Sequence, residues 1–223
     1  MFYLIITTII WSFSFSLIGN YLSTDINSWS LAFLRSTIAC IFFLRWIDFK
    51  IPFSYILKIV LIGALQIGIM YMLYLNAFNY TSVQKILLFT ITTPFYVTMI
   101  SQIINKKIKL FAFFIALISI LGALVIRMTD LNTGDFVGFI FIQLANISFA
   151  LGQVLYKIIK ADNKISTNVY TDFSFFFIGA SFITLIGLMI STSSYTQPSS
   201  TSQWLLVLWL GGGASGIGYY FWN

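Results

Sequence analysis

Three charged side chains lie within long apolar stretches of the sequence, where a charge needs a partner. They are Arg35, Lys85 and Asp172. A charged group in a bilayer interior has to find a counter-charge, backbone carbonyls or water. Arg35 could bind the carboxylate of a small molecule, extend to the outer surface, or pair with Asp25. Lys85 allows an outward extension or a cationic pocket, and Asp172 favours helix capping or pairing with Lys164 over proton coupling.

Uncharged polar and aromatic residues in the same stretches extend the set of candidate substrate-binding side chains. Gln66 and Tyr74 are eight residues apart and Asn146 and Gln153 are seven apart, which places each pair near one face of an α-helix. Such groups either hydrogen-bond neighbouring helices or line a cavity for an amphiphilic molecule. The full candidate set is Trp11, Ser14, Arg35, Gln66, Tyr71, Tyr74, Lys85, Thr92, Pro94, Asn146, Gln153 and Tyr219.

Pro94 lies near the middle of an apolar run and is expected to disturb its helix. Proline has no backbone N–H, so the carbonyl of Thr90 loses its usual partner. That carbonyl can be satisfied by threonine hydroxyls or can face a water-filled cavity. The disturbance is either a hinge for conformational change or a static packing kink.

The composition indicates a chain that is mostly embedded in lipid. Hydrophobic residues make up 59% of the sequence and charged residues 8%, whereas soluble domains carry about 25% charged residues. The sequence has no His, no Glu and a single Cys, Cys40, so it lacks the residues of a metal, haem or acid/base site. We therefore predict an all-α polytopic membrane protein that is not an enzyme, needs no cofactor and binds no nucleic acid.

Apolar windows of about 18 residues or more, separated by short polar connectors, predict eight transmembrane helices. The predicted spans are 2–22, 28–47, 56–76, 82–104, 110–127, 136–157, 168–190 and 203–223.

The basic residues of the connectors predict how these spans are oriented. The second, fourth and sixth connectors carry nine basic residues: Arg45, Lys50, Lys58, Lys106, Lys107, Lys109, Lys157, Lys160 and Lys164. The alternate connectors carry one, Arg127. Since basic connectors stay on the cytoplasmic side, we predict a cell (inner) membrane protein with both termini in the cytoplasm.

Two segments of the sequence resemble each other and predict an internal repeat. Gly63, Gly68, Ile69 and Tyr71 align without gaps with Gly211, Gly216, Ile217 and Tyr219. The alternative is chance, since these residue types are common in membrane helices. A five-helix unit used twice enters the membrane from opposite sides, as in many secondary transporters. We predict a first repeat over residues 1–130 and a second, incomplete repeat of three helices over 131–223.

A set of short motifs, in this order and spacing, is similar to one transporter family. The motifs are Trp11-Ser-Phe-Ser-Phe, Leu31-Ala-Phe-Leu-Arg35, Tyr74-Leu-Asn-Ala-Phe-Asn-Tyr-Thr-Ser82, Thr92-Thr-Pro-Phe95, Gly122-Ala-Leu-Val125 and Gly134-Asp-Phe-Val-Gly138. Together they resemble the EamA-type transporters of the drug/metabolite transporter superfamily. The resemblance implies two inverted five-helix repeats, of which this chain would hold the first eight helices, and transport of small organic metabolites.

The resemblance and the composition together give two functional hypotheses. The first is a secondary transporter that moves a small metabolite, such as an amino acid or a related amphiphile, by alternating access and in the direction of export. The alternative is a non-transporting truncated relic or a structural membrane subunit. The partners considered, besides the lipid bilayer and the metabolite, are a second copy in a homodimer and a partner that supplies the missing helices.

Overall fold

The fold is an all-helical bundle, seen in a computed structural model that describes residues 2–106, 110, 113–114, 117–118, 132–161 and 167–222. Three segments have π-helical hydrogen bonding and continue an α-helix. They are π1 (Ile18–Leu22), π2 (Ala64–Ile69) and π3 (Trp209–Ile217). The α-helices are α1 (Phe2–Leu17), α2 (Ser28–Phe43), α3 (Phe53–Gly63), α4 (Met70–Ala77), α5 (Val83–Thr90), α6 (Thr93–Ile104), α7 (Thr133–Ala161), α8 (Val169–Ile190), α9 (Thr201–Leu208) and α10 (Gly218–Trp222).

Six of the predicted spans are helices that are long and apolar enough to cross a membrane. They are Ile5–Leu22, Ser28–Trp46, Phe53–Ala77, Val83–Ile104, Thr133–Ala161 and Val169–Ile190. The eighth predicted span is helical over Thr201–Trp222 but is not one of the six, because its glycines and aromatic residues lower its mean hydropathy. Most of the predicted fifth span lies outside the described residues, as do Gly122–Val125, Lys107, Lys109, Arg127, Lys164 and the predicted boundary at 130/131.

Polar side chains mark where several helices begin. Asn27 accepts a hydrogen bond from the backbone N–H of Trp29 at 2.8 Å and caps α2. Asn168 does the same for α8 through the N–H of Tyr170, at 3.1 Å. These side chains satisfy backbone donors that have no partner within the helix. The helix starts are therefore encoded locally.

The connectors separate into two ends of the bundle, as the alternating spans require. At one end, the Tyr55 hydroxyl, just after the second connector, lies 3.0 Å from the Thr167 hydroxyl, just before α8. At the other end, the backbone N–H of Asn27 donates to the Thr196 hydroxyl at 2.7 Å. We call the first of these the basic end, because Arg45, Lys50 and Lys160 lie in or beside its connectors.

The core lies where α2 packs against α8, and it is aromatic. Phe43, Phe176 and Phe177 are fully buried, with Phe173 almost so. The rings of Phe43 and Phe177 stack at a centroid distance of 5.4 Å. Offset stacking of aromatic rings adds to the van der Waals contact that holds helices together in lipid. The α2/α8 pair therefore forms the centre around which the other helices are arranged.

The two segments that the sequence aligns have the same local structure and reciprocal neighbours. Both π2 and π3 are π-helical. The first contacts α8 and the second contacts α2. A Cβ atom at Gly63 would overlap the backbone of Phe176, and one at Gly211 would lie 2.5 Å from the Ile38 Cβ. Both glycines thus allow a close helix approach, and the two segments occupy corresponding positions.

Candidate functional site

Arg35 on α2 is buried and bonded to a residue of π3. Its side chain is 5% exposed, and its Nε donates to the Ser215 hydroxyl at 2.8 Å. The guanidinium also lies over the ring of Tyr71, 4.1 Å from the centroid. Within the described part of the chain no carboxylate lies within ion-pair distance of Arg35. The predicted pair with Asp25 is wrong, because Asp25 instead accepts from Gln203 Nε2 at 2.7 Å.

The Ser215 hydroxyl uses its one donor and both of its acceptor positions in this cluster. It donates to the carbonyl of Leu210 at 2.9 Å, a bond that the π-helical turn makes available. A hydroxyl has one donor and two acceptor positions, so Ser215 accepts from both Arg35 and Tyr71, whose hydroxyl lies 2.7 Å away. The other guanidinium N–H groups of Arg35 have no hydrogen-bond partner among the described residues.

Aromatic candidates surround this cluster on α1, α4 and α10. The Trp11 indole Nε1 donates to the carbonyl of Ala214 at 3.0 Å, and its ring is 5.3 Å from that of Tyr219. Tyr74 is buried and packs edge-on against Phe15 at 5.2 Å. Ser14 donates to the carbonyl of Ile10 at 2.7 Å, within its own helix. The structure therefore places Tyr71 against Arg35 and Trp11 and Tyr219 beside π3, whereas the hydroxyl of Ser14 bonds within α1.

Lys85 lies in a different cluster, where it forms an ion pair. Its Nζ is 2.7 Å from Asp135 Oδ2, and the Asp135 side chain is 4% exposed. Asp135 also accepts from the Thr81 hydroxyl and from the Asn132 backbone N–H at 2.9 Å. Neither of the two alternatives predicted for Lys85 included this partner. Arg35 and Lys85 therefore have different partners and belong to separate clusters.

Asp172, at the start of α8, is completely buried and is held by four groups. It pairs with Lys160 at 2.9 Å and accepts from the hydroxyls of Thr167 at 2.7 Å, Tyr156 at 2.9 Å and Tyr55 at 3.1 Å. Asp172 is thus in an ion pair with Lys160, which the sequence analysis did not name, and the pairing with Lys164 stays a prediction because Lys164 lies outside the described residues. This cluster joins α3, α7 and α8 at the basic end.

Pro94 interrupts its span, and side chains satisfy the backbone there. The break at residues 91–92 separates α5 from α6, and Pro94 lies in the first turn of α6, where a missing N–H is tolerated. The Thr93 hydroxyl donates to the carbonyl of Thr90 at 2.6 Å. The first of the two predicted alternatives, satisfaction by a threonine hydroxyl, is confirmed.

Two amide side chains of the neighbouring helix α7 also form hydrogen bonds to the break between α5 and α6. Asn146 Nδ2 donates to the carbonyl of Phe89 at 3.0 Å and to the Thr92 hydroxyl at 2.9 Å. Gln143 Nε2 donates to the same Phe89 carbonyl at 3.2 Å. Asn146 and Thr92 are thus engaged with each other. Among the candidates, these two and Pro94 form the support of a discontinuous helix.

A cavity of about 480 Å³ reaches from the basic end towards the middle of the bundle, between π2, α7 and α8. Ligand pockets are typically about 300–1,000 Å³ in volume. Its polar lining is Gln66, Gln153, Lys157 and Lys160. Its apolar and aromatic lining is Tyr156, Val169, Phe173 and Phe176. We call this space, defined by these eight residues, the basic-end cavity.

Gln66 is the most unusual residue of this lining. It is 4% exposed, and its buried Oε1 has no hydrogen-bond partner in the described part of the chain. It lies in π2, whose Leu65 carbonyl accepts from the Ser148 hydroxyl of α7 at 2.6 Å. A Cβ atom at Gly152 would overlap the Gln66 side chain, so the glycine leaves room for it. A buried amide oxygen without a partner is rare in proteins and needs an explanation.

Both candidate pairs are divided in the structure, and a π-helical turn explains the first. Gln66 lines the cavity, whereas Tyr74 packs against Phe15. The wider turns of π2 shift the face presented by the residues after it, by about 100° for each added residue. Asn146 and Gln153 also separate, the first to the α5/α6 break and the second to the cavity. Because α7 is α-helical throughout, this second pair keeps its common face and is divided by a separation of about 10 Å along the helix axis.

Several residues of these clusters were missed by the sequence analysis as candidates. Ser215 looked like one more small residue of a glycine-rich helix. Lys157 and Lys160 were assigned to a connector, although both lie within α7, which extends to Ala161. The spacing of Gln153, Lys157 and Lys160 at three and four residues was the available signal for a shared face.

Comparisons with known proteins identify the family of the chain. Residues 1–128 match the EamA-like transporter family. The chain is 36% identical to the biotin transporters of Salmonella typhimurium and of Escherichia coli (strain K12), over 99% of its own length and 74% of theirs. It is 35% identical to the probable biotin transporter of Pseudomonas aeruginosa, over 99% of its own length and 78% of that protein's. No solved structure matches the chain. A family match over more than half of the chain, and relatives of this identity over nearly all of it, show that the chain belongs to the EamA-like transporter family and is a membrane transporter rather than an enzyme.

Proposed function

We propose that this chain transports biotin. The observation that carries the proposal is its 35–36% identity, over 99% of its length, to proteins named as biotin transporters or a probable biotin transporter. These names point to biotin, so the proposal replaces the amino acid that the sequence analysis expected. Biotin is a small amphiphile with a fused bicyclic ring, a cyclic urea and a carboxylate on an aliphatic chain. Biotin would belong to the class of small amphiphiles that the sequence analysis also named.

The basic-end cavity supports this proposal through the kinds of group that line it. Gln66 and Gln153 offer amides, Phe173 and Phe176 offer apolar rings, and Lys157 offers a positive charge. Pockets for small molecules combine apolar surface with a few polar groups that fix orientation. A molecule with an apolar ring, a urea and a carboxylate has a partner for each of its parts.

The proposed mechanism is alternating access between two inverted five-helix repeats, one over residues 1–130 and the other from 131. The matching π-helical segments and their reciprocal packing support the repeat. The larger of the two cavities we describe opens at the basic end. A smaller cleft of about 160 Å³, lined by residues that include Asp25, Asn76 and Ser193, lies at the other end. We assign the basic end to the cytoplasm of an inner-membrane protein, so that this conformation is inward-facing.

The direct test is uptake of radiolabelled biotin by cells that lack their own biotin transporter and express this chain. We expect biotin accumulation that depends on the chain and is competed by unlabelled biotin but not by amino acids. Efflux from preloaded vesicles measures the direction, for which export stays a prediction. Absence of movement in both assays, with the protein inserted, would favour the non-transporting alternative.

Two further measurements address the arrangement in the membrane. A reporter fused after Asn223 should be active in the cytoplasm, and a periplasmic signal would overturn the predicted span count. The mass of the purified protein in detergent decides between a monomer and the predicted homodimer. Co-purification of a second chain would instead indicate a complementing partner.

A further inference from the structure

Two glutamine amides in the basic-end cavity have no hydrogen-bond partner among the residues that the structure describes. Gln66 Oε1 is buried without a hydrogen bond, and none of the hydrogen bonds of the described residues involves the Gln153 side chain. Both glutamines line this cavity, Gln66 from π2 and Gln153 from α7, and Gly152 lets the two elements approach closely at Gln66. Leaving a buried acceptor unpaired is unfavourable. A ligand that donates a hydrogen bond to this oxygen would remove that cost.

A primary amide and a cyclic urea have complementary edges. The amide presents an N–H donor beside a C=O acceptor, and each edge of the urea presents the same two groups in the opposite order. Two parallel hydrogen bonds can therefore form between one amide and one urea edge. A cyclic urea has two such edges that share one carbonyl, and that carbonyl has two lone pairs. Two amides are the number needed to satisfy it completely.

The glutamines can turn their amides to match this ligand. The last side-chain torsion of glutamine is broad and roughly two-fold, so rotation exchanges the positions of Oε1 and Nε2. No described protein group fixes either amide by a hydrogen bond. By contrast, Gln143 is held by Thr92 and Phe89, and Gln203 by Asp25 and Ser199. The amides of Gln66 and Gln153 thus differ from those of Gln143 and Gln203 in being able to bond to a ligand.

The aromatic wall of the cavity suits the apolar bicycle that carries the urea. The Phe173 and Phe176 rings are 5.3 Å apart, and the Tyr156 ring packs edge-on against Phe176 at 5.1 Å. The Tyr156 hydroxyl is bonded to Asp172 at 2.9 Å, which fixes this ring. The wall is therefore rigid and apolar on its cavity side, next to the two amides.

Lys157 lies on the same face of α7 as Gln153, nearer to the basic end. It is four residues further along, about 6 Å along the helix axis. Lys157 is exposed, and no carboxylate of the described residues forms an ion pair with it. The neighbouring Lys160 is engaged by Asp172 at 2.9 Å and by the Thr167 carbonyl at 2.9 Å. Lys157 is thus the lysine of the lining that remains available to an anionic ligand.

We propose that the basic-end cavity binds biotin with its ureido ring between the amides of Gln66 and Gln153 and its carboxylate at Lys157. This site assignment rests on the proposed function. The bicyclic ring lies against Phe173 and Phe176, and the aliphatic chain leads along α7 to the basic end. The urea therefore enters first from that side and the carboxylate remains nearest to the solvent.

The test is equilibrium binding to the purified full chain, with biotin and biotin methyl ester as probes. Gln66→Met and Gln153→Met keep the length of the side chain and remove its hydrogen bonds, and each should raise Kd for both probes by about tenfold or more. Lys157→Met should raise Kd for biotin but leave Kd for the methyl ester unchanged, because the ester has no charge to lose. Gln84→Met, at an exposed position on α5, is the matched control and should change neither.

The outcomes separate the site from the function. If the wild-type chain does not bind biotin, the proposed function is overturned and the site with it. If the wild-type chain binds but Gln66→Met behaves like Gln84→Met, the site is wrong and the function stands. An Arg35→Met variant that loses the preference for biotin over its ester, with Lys157→Met retaining it, would move the carboxylate to Arg35. Gln66→Glu keeps an acceptor and serves as a second variant if Gln66→Met does not fold.

Discussion

Ser215 should matter more to stability than the charged residue that it binds. Replacing Ser215 by Ala removes the acceptor of two buried donors, Arg35 Nε and the Tyr71 hydroxyl. The first bond involves a charge and is worth about 1.5–3 kcal/mol, and the second about 0.5–1.5 kcal/mol. We expect a loss of about 2–4 kcal/mol, or roughly 5–15 °C in the thermal midpoint for a chain of this size.

Arg35→Met should cost much less than Ser215→Ala. It loses the bond to Ser215 and a cation–π contact worth about 0.5–2 kcal/mol. It also removes a buried charge, which costs about 2.5–3.5 kcal/mol at the centre of a membrane helix. These contributions nearly cancel. Ser215 remains satisfied by Leu210 and Tyr71, so the substitution leaves none of the observed partners without a hydrogen bond.

The assay is the thermal midpoint of the purified single and double variants in the same detergent. In the double variant, Ser215→Ala should cost only about 1 kcal/mol, because the Tyr71 hydroxyl alone then loses its acceptor. Thr37→Val on α2 is a suitable control, since the buried Thr37 Oγ1 has no partner to lose. If Arg35→Met lowers the midpoint as much as Ser215→Ala does, this account of the cluster is refuted.

Two other clusters give predictions that the same assay checks. Asp135→Ala should lower the thermal midpoint more than Lys85→Met, because it deprives three donors of their acceptor and leaves Lys85 with a partly buried charge. Equal losses would mean that the ion pair alone decides the stability of that cluster. Thr93→Val should lower the free energy of unfolding by about 1–2 kcal/mol, because the Thr90 carbonyl loses the hydroxyl that donates to it. Thr93→Ser keeps the hydroxyl and should be nearly neutral. A similar loss in both variants would assign the effect to packing.

Much of the helical architecture could be predicted because lipid imposes a simple rule on the sequence. A spanning segment must be apolar and helical over a fixed length, and Val169–Ile190 lies within two residues of its predicted bounds. The position of the helix break could also be predicted, since Pro94 has no N–H to donate to the carbonyl of Thr90. Charged residues at the ends of spans were harder. Lys157 and Lys160 were counted as connector residues, but α7 continues through both.

The partners of the site residues could not be predicted, for two physical reasons. Hydrogen bonds across helices join residues far apart in sequence, as in the pair Arg35–Ser215, and no local pattern encodes them. In addition, π-helical turns change which residues share a face. Gln66 was selected for its depth in the membrane, and it lines the basic-end cavity. Its assignment to the face of Tyr74 assumed a regular α-helix, which π2 does not form.

The wide turns of π2 have a consequence for how access to the cavity can alternate. The position of a π-helical turn can shift by one residue along a helix. One i→i+5 hydrogen bond breaks and the next one forms, so the number of bonds stays the same. Each side chain that it passes rotates by about 100° about the helix axis. We expect such a step to turn Gln66 away from the cavity while α3 and α4 keep their positions. The carrier would then release its ligand through a local rotation of one helix. The repeats would need to tilt less than in a mechanism in which they move only as rigid bodies.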